Sequence, residues 1–385
     1  MVHGILSHGI YPIILAPHFP GGAIRETRNT IPIFRFPYFF PTSCEQLAYG
    51  EGLAYNFRRN FLAFIGIIPF IIAELLGSLV IFFRLRFDVI HTHWLIPQGL
   101  IGSILRKTLK IPHVATIHGS DLTIIKSIRV LHPVCRFIVK NSDFITLNST
   151  YMMHLLLQIV PGCEDKVRVI PMGVNPDVFQ KSANIRGVSS TPDKIILSVG
   201  RLIDWKGTMY LIEAMPVILQ KYPRSILYII GDGPEKEKLK QRVKALGLEE
   251  KIQFLGVVGK ESLCSYYHRA DVFVLPSITI GSQTEGLGVV ILEAMASGCP
   301  VIGTDAGGIP DIIMNGKNAF LVPERDSADL AEKILVLLSD PVLADRFRDA
   351  GYETVRNRFS WEKISLQFFR IYEQLHHKFP RQGVA

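Results

Sequence analysis

The segment VFVLPSITIGSQTEGLGVVILEAMASGCPVIGT, from Val272 to Thr304, contains the pattern that decides the fold. Its first apolar run, VFVLPS, has the length and β-branched content of a buried strand, and PVIGT has the same character. Between them, ITIGSQTEGLG predicts a loop, and VVILEAMASG predicts a helix that ends at Gly298. A strand, a helix and a second strand in this order indicate a βαβ unit and therefore a parallel sheet.

The same alternation continues through most of the chain. The strand candidates are IILAP, PIFRF, DVIHTH, HVATIH, FITL and VRVIP in the first half, and KIILSVG, SILYIIGDG, IQFLG, VFVLPS, PVIGT and AFLVP in the second. The polar stretch KSANIRGVSSTPD, residues 181–193, separates the two halves. We therefore predict an α/β protein with two doubly wound domains facing a cleft, residues 1–180 and 181–358. A C-terminal helix within 359–385 is expected to pack back toward the first domain.

The beginning of the first domain departs from this pattern. A doubly wound domain opens with a strand, a glycine-rich turn and a helix, but AIRETRNTIPIF, residues 23–34, leaves no room for that helix. We interpret MVHGILSHG as the end of a first helix and IILAP as the second strand. The domain is then expected to lack its first strand–loop–helix unit, so that the chain has a truncated or misassigned start.

Composition and charge limit the classes of protein. The chain has 385 residues, of which 48% are hydrophobic and 20% charged, which excludes a disordered protein and suffices for two cores. The formal net charge is +8, but the basic residues are scattered and not interleaved with aromatic ones. This argues against nucleic acid as a partner and favours an anionic membrane surface or a phosphate-bearing small molecule. The alternative is a solvated basic face without a partner.

The cysteines and histidines indicate a reducing compartment and no metal. The five cysteines form no CxxC pair, which argues against disulfides and a zinc site, and the N-terminus has no secretory pattern. His91 and His93 form an HxH pair, but no acidic third ligand accompanies them. We therefore expect a cytoplasmic protein without a bound metal.

One long apolar segment raises the question of a membrane. Residues Phe61 to Phe83 read FLAFIGIIPFIIAELLGSLVIFF, 23 residues with the single charge of Glu74 and with arginines beyond both ends. That length fits a bilayer span. Pro69, the acid in the middle and the strand that follows closely argue against a span. A buried helix or a helix on the membrane surface is the favoured interpretation.

Two carboxylates mark the predicted helix of the opening segment. Glu285 stands just before Gly286 and Gly288, where free N–H groups and the positive end of the helix dipole favour a phosphate. Glu293 follows about 7–8 Å further along the helix, at about 1.5 Å per residue. A phosphate between two carboxylates that bind hydroxyls describes a nucleotide sugar, with the sugar at Glu285 and the ribose at Glu293. The alternative is a capping acid and one satisfied internal glutamate.

Cations and a histidine are predicted on the same side of the cleft. The motif GRLIDWKG places Arg201 and Lys206 after the first strand of the second domain, where they could neutralise a diphosphate. The motif HVATIHGSDL places His118 at the end of a strand, and Ser120 or Asp121 at the start of the next helix. The alternatives are ordinary surface charges and a structural histidine.

Together these motifs resemble glycosyltransferase family four, which comprises retaining enzymes of the GT-B fold that use nucleotide sugars. The resemblance rests on GRLIDWKG, IIGDGPEKEKL, IQFLG, ADVFVLPS and EGLGVVILEAMASGCPVIGTDAGGIPDII, and on HWLIPQG and TIHGSD in the first half. The layout is most similar to members that build bacterial cell-surface polysaccharides. Asp311 stands where the family usually has Glu.

The resemblance implies roles for individual residues. Glu285 is expected near the transferred sugar, Arg201 and Lys206 at the diphosphate, and His118 at the hydroxyls of the donor sugar. Glu293 is expected at the ribose. The remaining implied residues are Asp121 on the acceptor side and, around the donor, Gly286, Leu287, Gly288, Gly200, Gly231 and Gly233.

The resemblance also implies the reaction. A sugar would move from a UDP- or GDP-linked donor to a saccharide or lipid-linked acceptor, with retention and without a metal, by attack on the face that the leaving group vacates. The expected setting is cell-envelope or exopolysaccharide synthesis, with the protein peripheral at the inner face of the membrane. Two alternatives stay open. One is a GT-B nucleotide-sugar epimerase, which needs no acceptor, and the other is a catalytically impaired, membrane-associated relative.

Overall fold

The computed structural model describes residues 2–45, 47–48, 66–179 and 193–379. Most of the predicted loop over 181–193 and the start of the apolar segment, residues 61–65, lie outside this description. In the described residues, the strands form one six-stranded sheet in the second half of the chain and two smaller sheets in the first half. This arrangement confirms the α/β class.

The second half contains a single parallel sheet in the order β10-β9-β8-β11-β12-β13. Strands β8, β11 and β12 are buried along their whole length, because helices cover both faces of the sheet. The strands are β8 Ile195–Val199, β9 Ile226–Ile230, β10 Ile252–Gly256, β11 Val272–Leu275, β12 Val301–Thr304 and β13 Phe320–Val322. The helices are α8 Thr208–Lys221, α9 Lys236–Ala245, α10 Lys260–Arg269, α11 Val289–Ala296, α12 Ser327–Ser339 and α13 Pro341–Thr354.

The first half contains two separate sheets, in the orders β1-β3-β2 and β4-β5-β6-β7. The strands are β1 Ile14–Pro17, β2 Arg25–Arg28, β3 Ile31–Phe36, β4 Ile90–His93, β5 His113–Ile117, β6 Phe144–Leu147 and β7 Val167–Val169. The helices are α1 Val2–Leu6, α2 Ile67–Leu85, α3 Leu100–Leu109, α4 Ser120–Ser127, α5 His132–Lys140, α6 Thr150–Ile159 and α7 Pro176–Phe179. Strands β1 and β4 are edge strands of different sheets.

Strand β2 is a correction to the sequence prediction, which placed no strand between β1 and β3. It reads RETR, is largely exposed and runs antiparallel to β3. Its Glu26 binds Arg35 of β3, with 2.6 Å between Oε1 and Nη2. A polar strand at a sheet edge has no alternation of apolar and polar residues, so the hydrophobic pattern does not predict it.

Helix α2 contains most of the long apolar segment. Pro69 lies in its first turn, where a missing backbone N–H costs no helical hydrogen bond. The buried residues are Phe70, Glu74 and Ile81, and the Phe70 ring packs edge-on against Phe36 at 5.2 Å between centroids. The helix is therefore docked by one face on the first sheet and is not buried all round.

The C-terminal helix α14, Trp361–Lys378, returns to the first half of the chain. A short parallel bridge begins it, because the Val174 N–H donates to Phe359 O at 2.9 Å and the Trp361 N–H donates to Val174 O at 3.0 Å. Its apolar face packs on Val114 and Ile170 of the four-stranded sheet side. The chain thus crosses between the two halves at α7 and again before α14.

Candidate active site

The site lies where the strand order of the six-stranded sheet reverses. The chain winds in one direction from β8 to β10 and in the other from β11 to β13, so the loops after β8 and β11 diverge and leave a crevice. One backbone hydrogen bond joins these loops, from Ile278 N to Trp205 O at 2.8 Å. The topology alone therefore brings the two loops with the predicted charges together.

Lys206 and Glu285 meet in this crevice although 79 residues separate them. Lys206 Nζ lies 2.5 Å from Glu285 Oε2, and Ser277 Oγ donates to the same carboxylate oxygen at 3.1 Å. Both charged side chains are less than one-fifth exposed. Arg201 lies on the same loop and lines the small cleft beside Lys206. The site thus holds two cations and one carboxylate at the point where α11 begins.

The backbone of Glu285 is held by a second turn. A Cβ atom on Gly307 would lie 2.0 Å from Glu285 O, and its φ is +54°, so only glycine fits there. The neighbouring Gly308 N–H donates to Glu285 O at 2.9 Å. The DAGG turn that follows β12 therefore sets the position of the Glu285 loop.

Helix α11 presents a bare N-terminus beside the ion pair. Its N-cap residue is Gly288, with φ of +91° and no side chain to cap the first N–H groups. Leu287 is 2% exposed, so its side chain belongs to the core and only its backbone faces the crevice. Uncapped N–H groups at a helix start favour an anion.

The predicted glycine turns after β8 and β9 pack against each other beside the crevice. A Cβ atom on Gly231 would lie 1.9 Å from Gly200 O, and one on Gly233 would lie 2.3 Å from Leu202 O. Leu202 N also donates to Asp232 O at 2.9 Å. The turns after β8 and β9 therefore pack backbone against backbone, and Gly200 lines the same cleft as Lys206.

Glu293 has a buried partner that the sequence did not indicate. Tyr267 Oη donates to Glu293 Oε2 at 3.0 Å, and the tyrosine is fully buried. Burial raises the pKa of Glu293, while the Tyr267 hydrogen bond and Lys260 oppose that shift. Tyr267 lies on α10, where no motif marks it, because helices α10 and α11 meet only in the tertiary structure.

His118 lies at the end of β5 in a group of three histidines. His118 Nε2 is 3.0 Å from His93 Nδ1, and the two rings stack at 5.2 Å between centroids. Burial lowers the pKa of His118, and Asp121 opposes this. The His91 nitrogens face Thr116 Oγ1 and Tyr372 Oη instead of a metal position. In the described part of the chain, no group of three or more His, Cys, Asp or Glu side chains is placed to hold a metal ion.

Asp121, which the resemblance places on the acceptor side, is buried and bound by backbone N–H groups. It is 5% exposed, and its two oxygens accept hydrogen bonds from Leu95 N and Gly119 N, both at 3.0 Å. A carboxylate occupied in this way stabilises the loops after β4 and β5. Its place next to a strand end could be read from the sequence, whereas its burial could not.

The two halves of the chain touch at the site. Asn148 Nδ2 donates to His118 O at 3.0 Å, and a Cβ atom on Gly286 would lie 3.3 Å from the same Nδ2. Asn148 Oδ1 is buried and has no partner among the described residues. Asp311 Oδ2 accepts a hydrogen bond from Thr150 N at 2.6 Å. The sequence analysis missed Asn148, although its position directly after β6 was the available signal.

Comparisons with known proteins agree with this geometry. The family described as "Glycosyltransferase Family 4" matches residues 1–178. The family described as "Glycosyl transferases group 1" matches residues 181–354. The phosphatidyl-myo-inositol mannosyltransferase of Mycobacterium leprae is 33% identical over 74% of this chain and 73% of its own length.

Two solved structures each resemble at least 90% of the chain. The sucrose-phosphate synthase of Thermosynechococcus elongatus superimposes with a TM-score of 0.78 at 25% identity, over 98% of this chain and 92% of its own. The Anabaena protein HepE in complex with UDP-glucose has a TM-score of 0.65 at 21% identity, over 90% and 86%. The chain is therefore a glycosyltransferase of family 4 with the GT-B fold.

Proposed function

We propose that the protein transfers a sugar from a nucleoside-diphosphate donor to an acceptor hydroxyl with retention of the anomeric configuration. The observation that carries this proposal is the contact between Lys206 and Glu285 at the start of α11. A cation that pairs with a carboxylate beside an uncapped helix start can take a diphosphate as a second partner. The carboxylate is then free to accept hydrogen bonds from the sugar attached to that diphosphate.

The proposed reaction follows from this exchange of partners. The bond between the anomeric carbon and the diphosphate oxygen breaks, and its electron pair stays on the diphosphate. Arg201, Lys206 and the N–H groups of α11 stabilise the charge on this leaving group. The acceptor oxygen forms its bond to the anomeric carbon on the same face, and its proton passes to a phosphate oxygen. Glu285 stabilises the positive charge that develops on the sugar.

We propose the other donor contacts from the positions of the side chains. Glu293, oriented by Tyr267, would accept hydrogen bonds from the ribose hydroxyls. His118, with a lowered pKa, would meet the sugar as a neutral imidazole. The two cations and the helix end supply the positive charge that other glycosyltransferases take from a metal, so we propose that this protein needs none.

The comparisons support a substrate class. HepE was solved with UDP-glucose, and the mycobacterial relative is named for transfer of mannose to a phosphatidyl-inositol lipid. We propose a UDP- or GDP-linked sugar as donor and a saccharide or lipid-linked acceptor in the synthesis of the cell envelope. Transfer would take place at the cytoplasmic face of the membrane, with the protein bound peripherally.

The test is transfer with a panel of UDP- and GDP-sugars, lipid and saccharide acceptors, and a chelator. We expect acceptor-dependent product with the donor's anomeric configuration by NMR, and unchanged rates in EDTA. Lys206→Ala should lose transfer, whereas the exposed Lys244→Ala should not. An inverted product would contradict retention, and an epimerised donor without acceptor would replace the proposal with the epimerase alternative.

A further inference from the structure

A cavity separate from the donor crevice lies where the chain crosses between its two halves. Its volume is about 790 Å³, within the range of sites that bind small molecules. The N-terminal half contributes Thr150 and Val169, the C-terminal half contributes Pro310 and Asp311, and the rest of the lining comes from the returning chain, residues 357–370. Both halves and helix α14 therefore form the walls of one cavity.

A contact between the halves separates this cavity from the active site. Gly308 touches both halves there, since a Cβ atom on it would lie 2.3 Å from Gly286 O and 2.7 Å from Ser149 Cβ. Directly beside this contact, the Thr150 N–H donates to Asp311 Oδ2 at 2.6 Å. Thr150 and Asp311 line the cavity, whereas Gly286 belongs to the donor crevice. The two sites are therefore neighbours with different lining residues.

The lining of the cavity contains three cations and one acid. The cations are Arg358, which lies just before α14, and Lys363 and Arg370, which lie on it. The acid is Asp311, whose Oδ2 is already bonded to a backbone N–H and whose main-chain O accepts from Arg358 Nη2 at 3.3 Å. In the residues that the structure describes, no carboxylate pairs with the side chain of Lys363 or Arg370. Cations that share a cavity repel each other, so their arrangement favours an anion.

The uncharged part of the lining suits a molecule with hydroxyl groups. Lys363 and Arg370 are about 10 Å apart along α14 at 1.5 Å per residue, and Gln367 lies between them on the same face. The Gln367 amide, which can both donate and accept, has no hydrogen-bond partner among the described side chains and backbone groups. Leu366 and Met314 add apolar surface, against which the C–H groups of a sugar ring can pack.

We propose that this cavity binds a phosphorylated sugar, with the phosphate among Arg358, Lys363 and Arg370 and the hydroxyl groups at Gln367. A ligand in this position touches both halves of the chain and α14, so its binding free energy stabilises their packing against each other. The inference goes beyond the proposed function and does not depend on it, because no residue of this lining is assigned to the sugar donor.

The experiment is calorimetric titration with glucose 1-phosphate, inorganic phosphate and glucose, at constant ionic strength and with excess UDP to fill the donor crevice. The cavity variant is Lys363→Gln/Arg370→Gln. The matched control is Lys244→Gln/Arg269→Gln, which also removes one lysine and one arginine, both exposed and outside the cavity. The melting temperatures of the unliganded proteins show whether each variant folds like the wild type.

We expect glucose 1-phosphate to bind the wild type at one site and to raise its melting temperature. The cavity variant should bind at least about tenfold more weakly, because it lacks two charge-assisted contacts, and the control should bind like the wild type. Equal affinity of the cavity variant and the control would overturn the proposal. Inorganic phosphate that binds as tightly as glucose 1-phosphate would overturn the assignment of a sugar.

A second variant, Gln367→Leu, tests the contact with the hydroxyl groups and leaves all three cations in place. Its affinity for glucose 1-phosphate should decrease by about three- to tenfold, whereas its affinity for inorganic phosphate should not change. An equal decrease for both ligands, or none for either, would contradict a hydrogen bond between Gln367 and the sugar.

Titration with UDP alone separates this site from the donor site. The cavity variant should bind UDP like the wild type, whereas Lys206→Ala should lose affinity for UDP and keep it for glucose 1-phosphate. If the cavity variant lost both ligands, glucose 1-phosphate would lie in the donor crevice and the proposal would fail. If UDP bound to none of the proteins while glucose 1-phosphate followed the expectation, the proposed function would fail and the cavity site would stand.

Discussion

The two halves of this chain are built from the same kind of unit but differ in whether their described strands form one continuous sheet. We call the C-terminal half closed and the N-terminal half open for this reason. In the C-terminal half, six parallel strands form one sheet, and the turns around the site pack backbone against backbone. In the N-terminal half, the described strands lie in two sheets, one strand is antiparallel, and α2 leaves an apolar stripe exposed. Most residues proposed to bind the donor belong to the C-terminal, closed half, whereas His118 belongs to the N-terminal, open half.

One glutamate from each half shows how the two halves differ in the partners they give a carboxylate. Glu285, in the C-terminal half, has Lys206 and Ser277 as hydrogen-bond partners. Glu74, in the N-terminal half, is buried, and its Oε2 has no partner among the described residues. A buried carboxylate without compensation favours its neutral form, so one glutamate is arranged to act as a charge and the other is not.

The largest effect should come from Glu285→Gln. The substitution keeps size and a hydrogen-bonding oxygen but removes the charge beside the reacting sugar, so kcat should fall by about 10²–10³-fold. Affinity for the free nucleoside diphosphate should be unchanged or tighter, since Lys206 loses its competing partner. Steady-state kinetics and calorimetry measure both values, with the exposed Glu249→Gln as control. An unchanged kcat would remove Glu285 from the catalytic role.

The next largest effect should come from Lys206→Ala. If Lys206 holds the diphosphate, its loss removes a charge-assisted contact of about 1.5–3 kcal/mol, or about 10–150-fold in Kd. Calorimetric titration with UDP and GDP gives this number directly. Binding as tight as that of the wild type would mean that the ion pair with Glu285 is only structural. The assignment of diphosphate binding to the C-terminal half would then lose its main support.

The sequence predicted the closed half better than the open half. Every strand of the six-stranded sheet was anticipated, because buried parallel strands are continuous apolar runs between helices. Strand β2 was missed because Arg25–Arg28 is polar, and the outward face of α2 was not assigned because periodicity alone does not identify the packed side. The hydrophobic pattern therefore predicted the strands and helices of each half to the extent that they are buried.

The candidate site was only partly readable for a related reason. Arg201, Lys206 and Glu285 stand in motifs, and strand-end reasoning placed all three on one edge. Their contact with Ser277, and that of Glu293 with Tyr267, joins elements whose distance depends on packing. Asp121 was assigned to the acceptor side, yet its carboxylate is filled by two backbone N–H groups. The sequence identifies which side chains carry charge, whereas packing decides which of these side chains can still bind a ligand.

An effect on stability, and not on the reaction, tests the open half. Burial raises the pKa of Glu74 from 4.5 to about 8. Between these values the unfolded chain releases a proton that the folded chain keeps, so the free energy of unfolding should fall as pH rises, by at most about 1.4 kcal/mol per unit. Glu74→Gln should remove this contribution and stabilise the protein most above pH 8. Denaturant unfolding from pH 5 to pH 9 measures it, and identical slopes would contradict the burial of an uncompensated acid.

A smaller effect on the reaction should come from Glu293→Gln, because a ribose contact is made equally in the ground and transition states. We expect weaker binding of both the donor and the free nucleotide, by about three- to tenfold, with kcat nearly unchanged. Burial raises the pKa of Glu293. Wild-type affinity for the nucleotide should therefore decrease as the pH falls through that raised pKa, and this decrease should disappear in the variant.

Tyr267→Phe separates orientation from contact. It removes the 3.0 Å hydrogen bond to Glu293 without touching the nucleotide, so it should weaken binding less than Glu293→Gln does. It should also move the pH dependence upward, because that hydrogen bond favours the charged carboxylate. If Glu293→Gln instead lowered kcat and left nucleotide affinity intact, while Glu285→Gln did the reverse, the sugar and ribose ends of the site would be exchanged. The donor would then lie in the opposite direction along α11, although the closed half would still hold it.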